Sequence, residues 1–128
     1  MAAKIFPENK TCIAILQWMD KQYPIQREYI TKIENEGKRG FFAIKLYKSL
    51  GFNSKASDYF LAWPTKNHAG LWIEVKKDGW KFTPSQKKHI DGQMAFIEKM
   101  KVRGYYGRMI IGVDEGIKCI DDYLKERI

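Results

Sequence analysis

The sequence has little that would indicate a thiolate-metal, disulfide-bonded or membrane protein. Its two cysteines, Cys12 and Cys119, lie at opposite ends of the chain in apolar helical patterns, and neither has a partner at metal-ligand spacing. We therefore expect two buried, reduced thiols in a cytoplasmic protein. No stretch reaches the roughly 18 apolar residues that a membrane span needs. The start, MAAKIFPENK, also lacks the apolar run of a signal peptide.

Internal repeats, low-complexity segments and linker-like stretches are also missing. With 128 residues and 45% hydrophobic content, the chain is long enough for one hydrophobic core, so residues 1–128 are predicted to form a single domain. Positive charge is abundant, because lysine and arginine give a formal net charge of +8 and are scattered along the chain. Such a surface favours a polyanionic partner, although many basic proteins bind none.

Hydrophobic periodicity predicts helices and strands in alternation. The predicted helices cover about 8–21, 41–50, 83–103 and the residues from 114 onward. The predicted strands cover 27–35, 58–63, 71–76 and 105–111, with a brief extension at 80–82. This order, with a β-hairpin in its middle, indicates an α/β sandwich in which helices flank a central mixed sheet of about four strands.

The segment SDYFLAWPTKNHAGLWIEVK, residues 57–76, carries the side chains that indicate chemistry. Asp58 lies at the start of one apolar strand. In the next strand, alternation puts Trp72, Glu74 and Lys76 on one face. Charged groups in an otherwise apolar strand would go unpaired without a reason. We expect the hairpin to bring Asp58 and Glu74 to one edge of the sheet.

Two carboxylates and an amine at one strand pair predict a cation site. Because Mg²⁺ prefers carboxylate, carbonyl and water oxygens, we expect Asp58, Glu74 and the main-chain carbonyl of Val75 to bind Mg²⁺ or Mn²⁺. Such an ion lowers the pKa of a bound water and neutralises charge on a phosphate. Lys76 would position that water or act as its base. This is the layout of a metal-dependent phosphodiesterase, and a solvated charge pair is the alternative.

Five strings in order carry a resemblance to a known family: IENEGKRG, GFNSKASDYFLAWP, GLWIEVKK, FTPSQKKHI and RGYYGRMIIGVDEGIKCIDDYL. They resemble the virus-type replication-repair nuclease (VRR-NUC) domain of the PD-(D/E)XK superfamily, and are most similar to its short, stand-alone bacteriophage and prophage members. The resemblance covers nearly the whole chain. It implies a restriction-endonuclease-like α-β-α sandwich and a metal-dependent DNA endonuclease, located in the bacterial host cytoplasm if the protein is phage-encoded.

Carried over residue by residue, the resemblance gives the same roles to the two acids and the lysine, and it adds Gln86 and Glu8 to the active site. Each of these two has an alternative. Gln86 completes a capping box with Thr83, and Glu8 interacts with the positive end of a helix dipole. The chain also departs from the family pattern twice, with Ser57 where proline is common and Cys12 where glutamine is common.

For DNA binding, the resemblance places the charged turn that contains Asn35, Lys38 and Arg39 near the site, where these side chains could contact phosphates. A solvated turn is the alternative for that segment. Lys55 and Lys77 are further candidates for contact with nucleic acid.

The predicted helix FFAIKLYKSL has more apolar residues than one buried face needs. Because the phage relatives are understood to pair, we expect a homodimer, and a two-fold dimer would suit a branched substrate such as a Holliday junction. The leading hypothesis is therefore a structure-selective DNA endonuclease. The alternatives are a catalytically silent DNA-binding module with the same fold, and an interaction protein whose charge serves only solubility.

Overall fold

A sheet of four strands lies at the centre of the residues that the computed structural model describes, which are 5–34 and 41–128. The strands are neighbours in the order β1 (Ile30–Lys32), β2 (Tyr59–Leu61), β3 (Leu71–Lys76) and β4 (Tyr106–Ile111). β2 pairs antiparallel with both β1 and β3, whereas β3 and β4 are parallel. The predicted mixed sheet of about four strands is therefore confirmed.

The described residues also form five α-helices, which are α1 (Pro7–Gln22), α2 (Pro24–Arg27), α3 (Phe41–Ser49), α4 (Lys87–Val102) and α5 (Gly112–Leu124). α1 and α5 pack on each other and on β3, and α4 packs on β3 and β4. α4 provides the crossover that two parallel strands require. The predicted α-β-α arrangement, with helices on both faces of the sheet, is confirmed as well.

β3 separates two different environments. On one face, Leu71, Ile73 and Val75 are buried in the hydrophobic core with residues of α1 and α5. On the other face, the ring of Trp72 lies edge-on to the ring of Phe96 in α4, with centroids 5.0 Å apart. The alternation predicted for this strand is confirmed, and Trp72 packs against a helix rather than lining an open groove.

The first strand is shorter than predicted. Instead of 27–35 it covers only β1, because α2 and the turn after it take the chain as far as Tyr29. Pro24 begins α2, and proline suits a first helical position because its φ is already helical and its missing N–H would have no partner there. The predicted strand begins too early because Pro24 was not recognised as the start of a helix.

The predicted strand at 80–82 is wrong. The chain turns after β3 through Gly79, whose φ is +74°, and Trp80 N donates to Lys77 O at 3.1 Å. A positive φ favours glycine, so the turn redirects the chain before it can pair with the sheet. The predicted strand at 58–63 is also shortened, to β2.

Both cysteines are buried and free, as predicted. Burial raises the pKa of the Cys119 thiol to about 12, so this thiol stays protonated at neutral pH. Among the residues described, none of the helices combines the length and the apolar character that crossing a bilayer requires.

A hydrogen bond joins the end of α1 to α5, because the hydroxyl of Tyr23 donates to Asp121 Oδ1 at 2.6 Å. This bond, supported by the ammonium of Lys125, holds the pKa of the Asp121 carboxyl below its usual value. A carboxyl whose pKa is lower in the folded state stabilises the fold above its unfolded pKa. That contribution is lost as the pH falls through the folded value.

We expect Asp121→Asn to lower the free energy of unfolding at neutral pH by about 1 kcal/mol, with the difference from wild type shrinking as the pH falls below about 4. Urea unfolding as a function of pH measures this. The control is Asp91→Asn, whose carboxylate pairs with Lys87 on an exposed surface and should contribute less. A difference that persists unchanged into acid would contradict the assignment.

Candidate active site

The pairing of β2 with β3 sets the relative position of the two predicted acids. Tyr59 lies across from Ile73 in this antiparallel pair, and continuing the register by one residue places Asp58 across from Glu74. Residues directly across from each other share a face of the sheet, which here is the face that α4 covers. Asp58 is 0% exposed and Glu74 is 1% exposed, so the hairpin brings both carboxylates into the protein interior.

The two carboxylate oxygens of Asp58 have different environments. Oδ2 accepts a hydrogen bond from Val75 N at 2.8 Å, so the side chain extends the ladder where the backbone pairing of β2 ends. Oδ1 is buried and has no hydrogen-bond partner among the described residues, and Lys32 Nζ lies 3.7 Å from it. Oδ2 therefore binds the backbone of β3, and Oδ1 is available to a ligand.

The main-chain carbonyl of Val75 belongs to the same edge. In an antiparallel ladder, the N–H and C=O of one residue point towards the same neighbouring strand, and the N–H of Val75 points to Asp58. Its carbonyl oxygen therefore also lies on the Asp58 side of β3.

These oxygens suit a hard divalent ion. Mg²⁺ and Mn²⁺ prefer carboxylate and carbonyl ligands, and Mg²⁺ usually keeps several waters. Within residues 5–34 and 41–128, no group of three or more His, Cys, Asp or Glu side chains is placed to hold a metal. An ion at this edge would have two carboxylates and one carbonyl from the protein and would take its other ligands from water or substrate. The buried Oδ1 of Asp58, which accepts no hydrogen bond from the described residues, fits such an ion.

Lys76 lies on the Glu74 face of β3 and is only 7% exposed. Its Nζ is 5.6 Å from the centroid of the Trp80 ring, which is a cation–π contact. A buried cation needs negative charge nearby, and Glu74 carries that charge on the same face. The turn through Gly79 keeps residues 80–82 out of the sheet, and it also places the ring of Trp80 beside Lys76.

Glu8 lies in the first turn of α1 and is partly exposed. One turn later, the charges of Lys32, Asp58 and Glu8 act on the Cys12 thiol, so these groups lie at the same end of the sheet. Burial raises the pKa of the Cys12 thiol, and a neutral thiol therefore occupies the position where the similar family often has glutamine. The role of Glu8 as a supporting acid stays a prediction, beside its favourable place at the helix start.

Gln86 caps the segment that leads into α4. Its Oε1 accepts from Thr83 N at 3.1 Å and from the Thr83 hydroxyl at 3.2 Å, and Pro84–Gln86 forms a 3₁₀ turn before α4. The capping box predicted as the alternative is therefore present. A catalytic role for Gln86 stays a prediction, and it would require the side chain to leave this cap.

Three of the five residues predicted to contact DNA lie outside the described residues, and these are Asn35, Lys38 and Arg39. Lys77 is exposed directly after β3. Lys55 is half-buried, and its Nζ lies 3.4 Å from His89 Nδ1. Both described candidates are therefore close in sequence to the strands that carry the acids.

Gln93 of α4 is a buried polar residue, with only 1% exposure, that is not among the site residues predicted from the sequence. One turn later, Ile97 lies against Gly107 beside Trp72. Because α4 returns in the direction opposite to β3, Gln93 lies closer than Ile97 to the end of the strand that carries Glu74. Gln93 therefore lies on the side of α4 that faces the sheet, towards the end of β3 that carries Glu74.

The helical spacing of the apolar residues Ile90, Met94 and Ile97 predicts that they form the buried stripe of α4. This is partly wrong, because Met94 is exposed, whereas Gln93 and Ile97 are the buried positions. Gln93 comes three residues after Ile90 and four before Ile97, so it lies within the helical stripe although it is polar. That spacing is the signal that could have identified it.

Hydrogen-bond chemistry fixes the orientation of the Gln93 amide. His89 lies between Lys55 Nζ, at 3.4 Å from Nδ1, and Gln93 Nε2, at 3.1 Å from Nε2. An ammonium only donates, so Nδ1 accepts and Nε2 carries the proton. The Gln93 group that accepts from His89 Nε2 is therefore its amide oxygen rather than its amide nitrogen. In this orientation the Gln93 oxygen has a partner, which it otherwise lacks among the described residues.

No protein-family model matches the chain, and no curated protein is significantly similar to it in sequence. A solved structure described as "VRR_NUC domain protein" is similar in fold, with a TM-score of 0.73 and 25% sequence identity. The match covers 96% of this chain and 92% of that one. The VRR-NUC resemblance inferred from the sequence motifs is therefore confirmed, whereas the phage assignment stays a prediction.

Asp58→Asn removes the negative charge of this residue but keeps a side-chain oxygen that can accept from Val75 N. A buried charge is costly when its counter-charge is largely in solvent and makes no hydrogen bond to it, as is the case for Lys32 and Asp58. We therefore expect the asparagine variant to be more stable than wild type by about 1 kcal/mol in chelator, measured by thermal unfolding. Asp58→Ala, which removes the acceptor, should be less stable than Asp58→Asn by about 1–3 kcal/mol. An asparagine variant less stable than wild type would show that the charge itself stabilises the fold.

Proposed function

We propose that this chain, which has the fold of the VRR-NUC domain, is a Mg²⁺- or Mn²⁺-dependent endodeoxyribonuclease that hydrolyses phosphodiester bonds in branched DNA. The observation that carries the proposal is the buried edge between β2 and β3, where Asp58 lies across from Glu74 and the Val75 carbonyl lies on the same side. A divalent ion held by these oxygens would balance the charge of two carboxylates that lie out of water.

Such an ion, when bound, lowers the pKa of a water and neutralises charge on the scissile phosphate. Asp58 and Glu74 would hold it, and the hydrogen bond from Val75 N keeps the Asp58 carboxylate from rotating. Lys76 has three N–H donors and lies on the Glu74 face. Its ammonium orients the attacking water and stabilises the negative charge that develops on a phosphate oxygen.

The proposed substrate is supported by charge. The chain has a formal net charge of +8. Lys77 directly follows the catalytic lysine and Lys55 precedes Asp58 by three residues, so both can bind phosphates beside the scissile bond. Phosphate contacts fix position and orientation rather than sequence. We therefore propose that the enzyme recognises the shape of DNA, with the four-way junction as the preferred case.

The second proposed partner is another copy of the chain. Ile44 and Leu46 in α3 and Leu50 directly after it have exposed apolar side chains, and Leu50 is 65% exposed. Leu46 and Leu50 are four positions apart and share one side of this segment, and exposed apolar surface often marks an interaction site. A two-fold dimer through this helix would present two active sites to a junction that itself has two-fold symmetry.

DNA cleavage tests the catalytic proposal. Purified protein is incubated with four-way junction, flap, single-stranded and linear duplex DNA in Mg²⁺, Mn²⁺ or chelator. We expect cleavage only with the ions, and fastest for the junction. Glu74→Gln should lower the rate by more than about 100-fold, which exceeds the typical cost of losing an outer partner of a metal site. Glu98→Gln, on the exposed side of α4 where it pairs with Lys101, is the matched control.

Two outcomes would argue against the nuclease. One is no cleavage of any substrate in either ion, and the other is full activity of Glu74→Gln. DNA binding that weakens steeply with salt but persists in chelator and in Asp58→Ala, without cleavage, would instead support the silent DNA-binding module.

The dimer has a separate test. We expect Leu46→Glu to convert the dimer to a monomer in analytical ultracentrifugation, because a carboxylate cannot be buried in an apolar interface without a partner. Lys45→Gln, at the neighbouring exposed position of α3, lowers the net charge by the same one unit and controls for the change of charge. A wild-type protein that is monomeric at the concentrations used for cleavage would contradict the dimer.

A further inference from the structure

Lys32 of β1 is a basic side chain beside the candidate site that neither the sequence motifs nor the proposed mechanism uses. Its Nζ lies 3.7 Å from Asp58 Oδ1, the oxygen with no hydrogen-bond partner among the described residues. The other oxygen, Oδ2, is held by Val75 N. Lys32 therefore approaches the one oxygen of Asp58 that is available to a metal ion.

The ammonium of Lys32 is held weakly. Lys32 lies across from Tyr59 in the β1–β2 pair, and its Nζ is 5.0 Å from the centroid of the Tyr59 ring. Its distance from Asp58 Oδ1 is longer than a hydrogen bond. The side chain is 51% exposed, whereas that of Asp58 is 0% exposed. The ammonium is therefore already about half in solvent and can move outwards from Asp58.

A carboxylate oxygen cannot hold an ammonium and a divalent ion at close range without strong repulsion between the two cations. We propose that Lys32 competes with the divalent ion for Asp58 Oδ1. Its ammonium balances the buried carboxylate when no ion is bound, and it moves outwards when the ion binds. The inference rests on the proposed metal-dependent function. It makes Lys32 the residue that sets the metal concentration at which the site fills.

Lys32→Met tests the competition, because methionine keeps an apolar stem beside Tyr59 and removes the charge. We expect this variant to bind Mn²⁺ about tenfold more tightly than wild type in isothermal titration calorimetry. Lys32→Arg keeps the charge and should bind Mn²⁺ much as wild type does. Lys99→Met, at an exposed position in the last turn of α4, controls for the loss of one positive charge.

Thermal unfolding gives a second readout that does not depend on activity. In chelator, Lys32→Met should unfold at a lower temperature than wild type, because the buried Asp58 carboxylate loses its counter-charge. Saturating Mn²⁺ should remove that difference, since the ion then balances the carboxylate in both proteins.

Equal Mn²⁺ affinity of wild type, Lys32→Met and Lys99→Met would overturn the competition, and the cleavage assay would still report on the nuclease. Weaker binding by Lys32→Met would overturn it too, because Lys32 would then support the ion. No Mn²⁺ binding by any of these proteins, together with no cleavage, would overturn both this inference and the proposed function.

Discussion

The antiparallel pairing of β2 with β3 is the constraint on which the candidate site depends. A slip of one residue would turn every side chain of a strand to the opposite face, and Asp58 would then lose its place across from Glu74. Two features of the β2–β3 pair favour this register. Phe60 stacks near Trp72 with ring centroids 4.5 Å apart, and a Cβ on Gly70 would lie 2.8 Å from the Phe60 ring, so the entry to β3 has no room for a larger residue.

That register places charge where a sheet normally buries apolar groups. Glu74 and Lys76 lie on the α4 face of the sheet, and the carboxylate of Asp58 lies at the end of β2 against Val75 N. Transfer of each of these charges from water to the interior is costly. The hydrogen bond from Val75 N and the nearby ammonium of Lys32 offset only part of this cost for Asp58. Positions where a fold departs from its own packing rules are most often functional. The opposite face of β3, which packs against α1 and α5, shows no such departure in the described residues.

The parts of the site that the sequence predicted are those set by local geometry. Alternation within β3 alone puts Glu74 and Lys76 on one face, and a hairpin must bring its strands together. Lys32 was not predicted, because its approach to Asp58 depends on how β1 pairs with β2, and β1 begins only where the helix started by Pro24 has ended. Gln93 was missed because polar residues are usually assigned to the exposed side of a helix.

The charges of the site link metal binding to DNA binding. Asp58 and Glu74 carry two negative charges and Lys32 and Lys76 two positive ones, so these four side chains are formally neutral together without an ion. A divalent ion would leave the site with an excess of positive charge that the protein interior tolerates poorly. A phosphate group brings the negative charge that removes this excess. In the proposed enzyme, the ion should therefore bind more tightly when DNA is present, and by thermodynamic reciprocity DNA should bind more tightly when the ion is present.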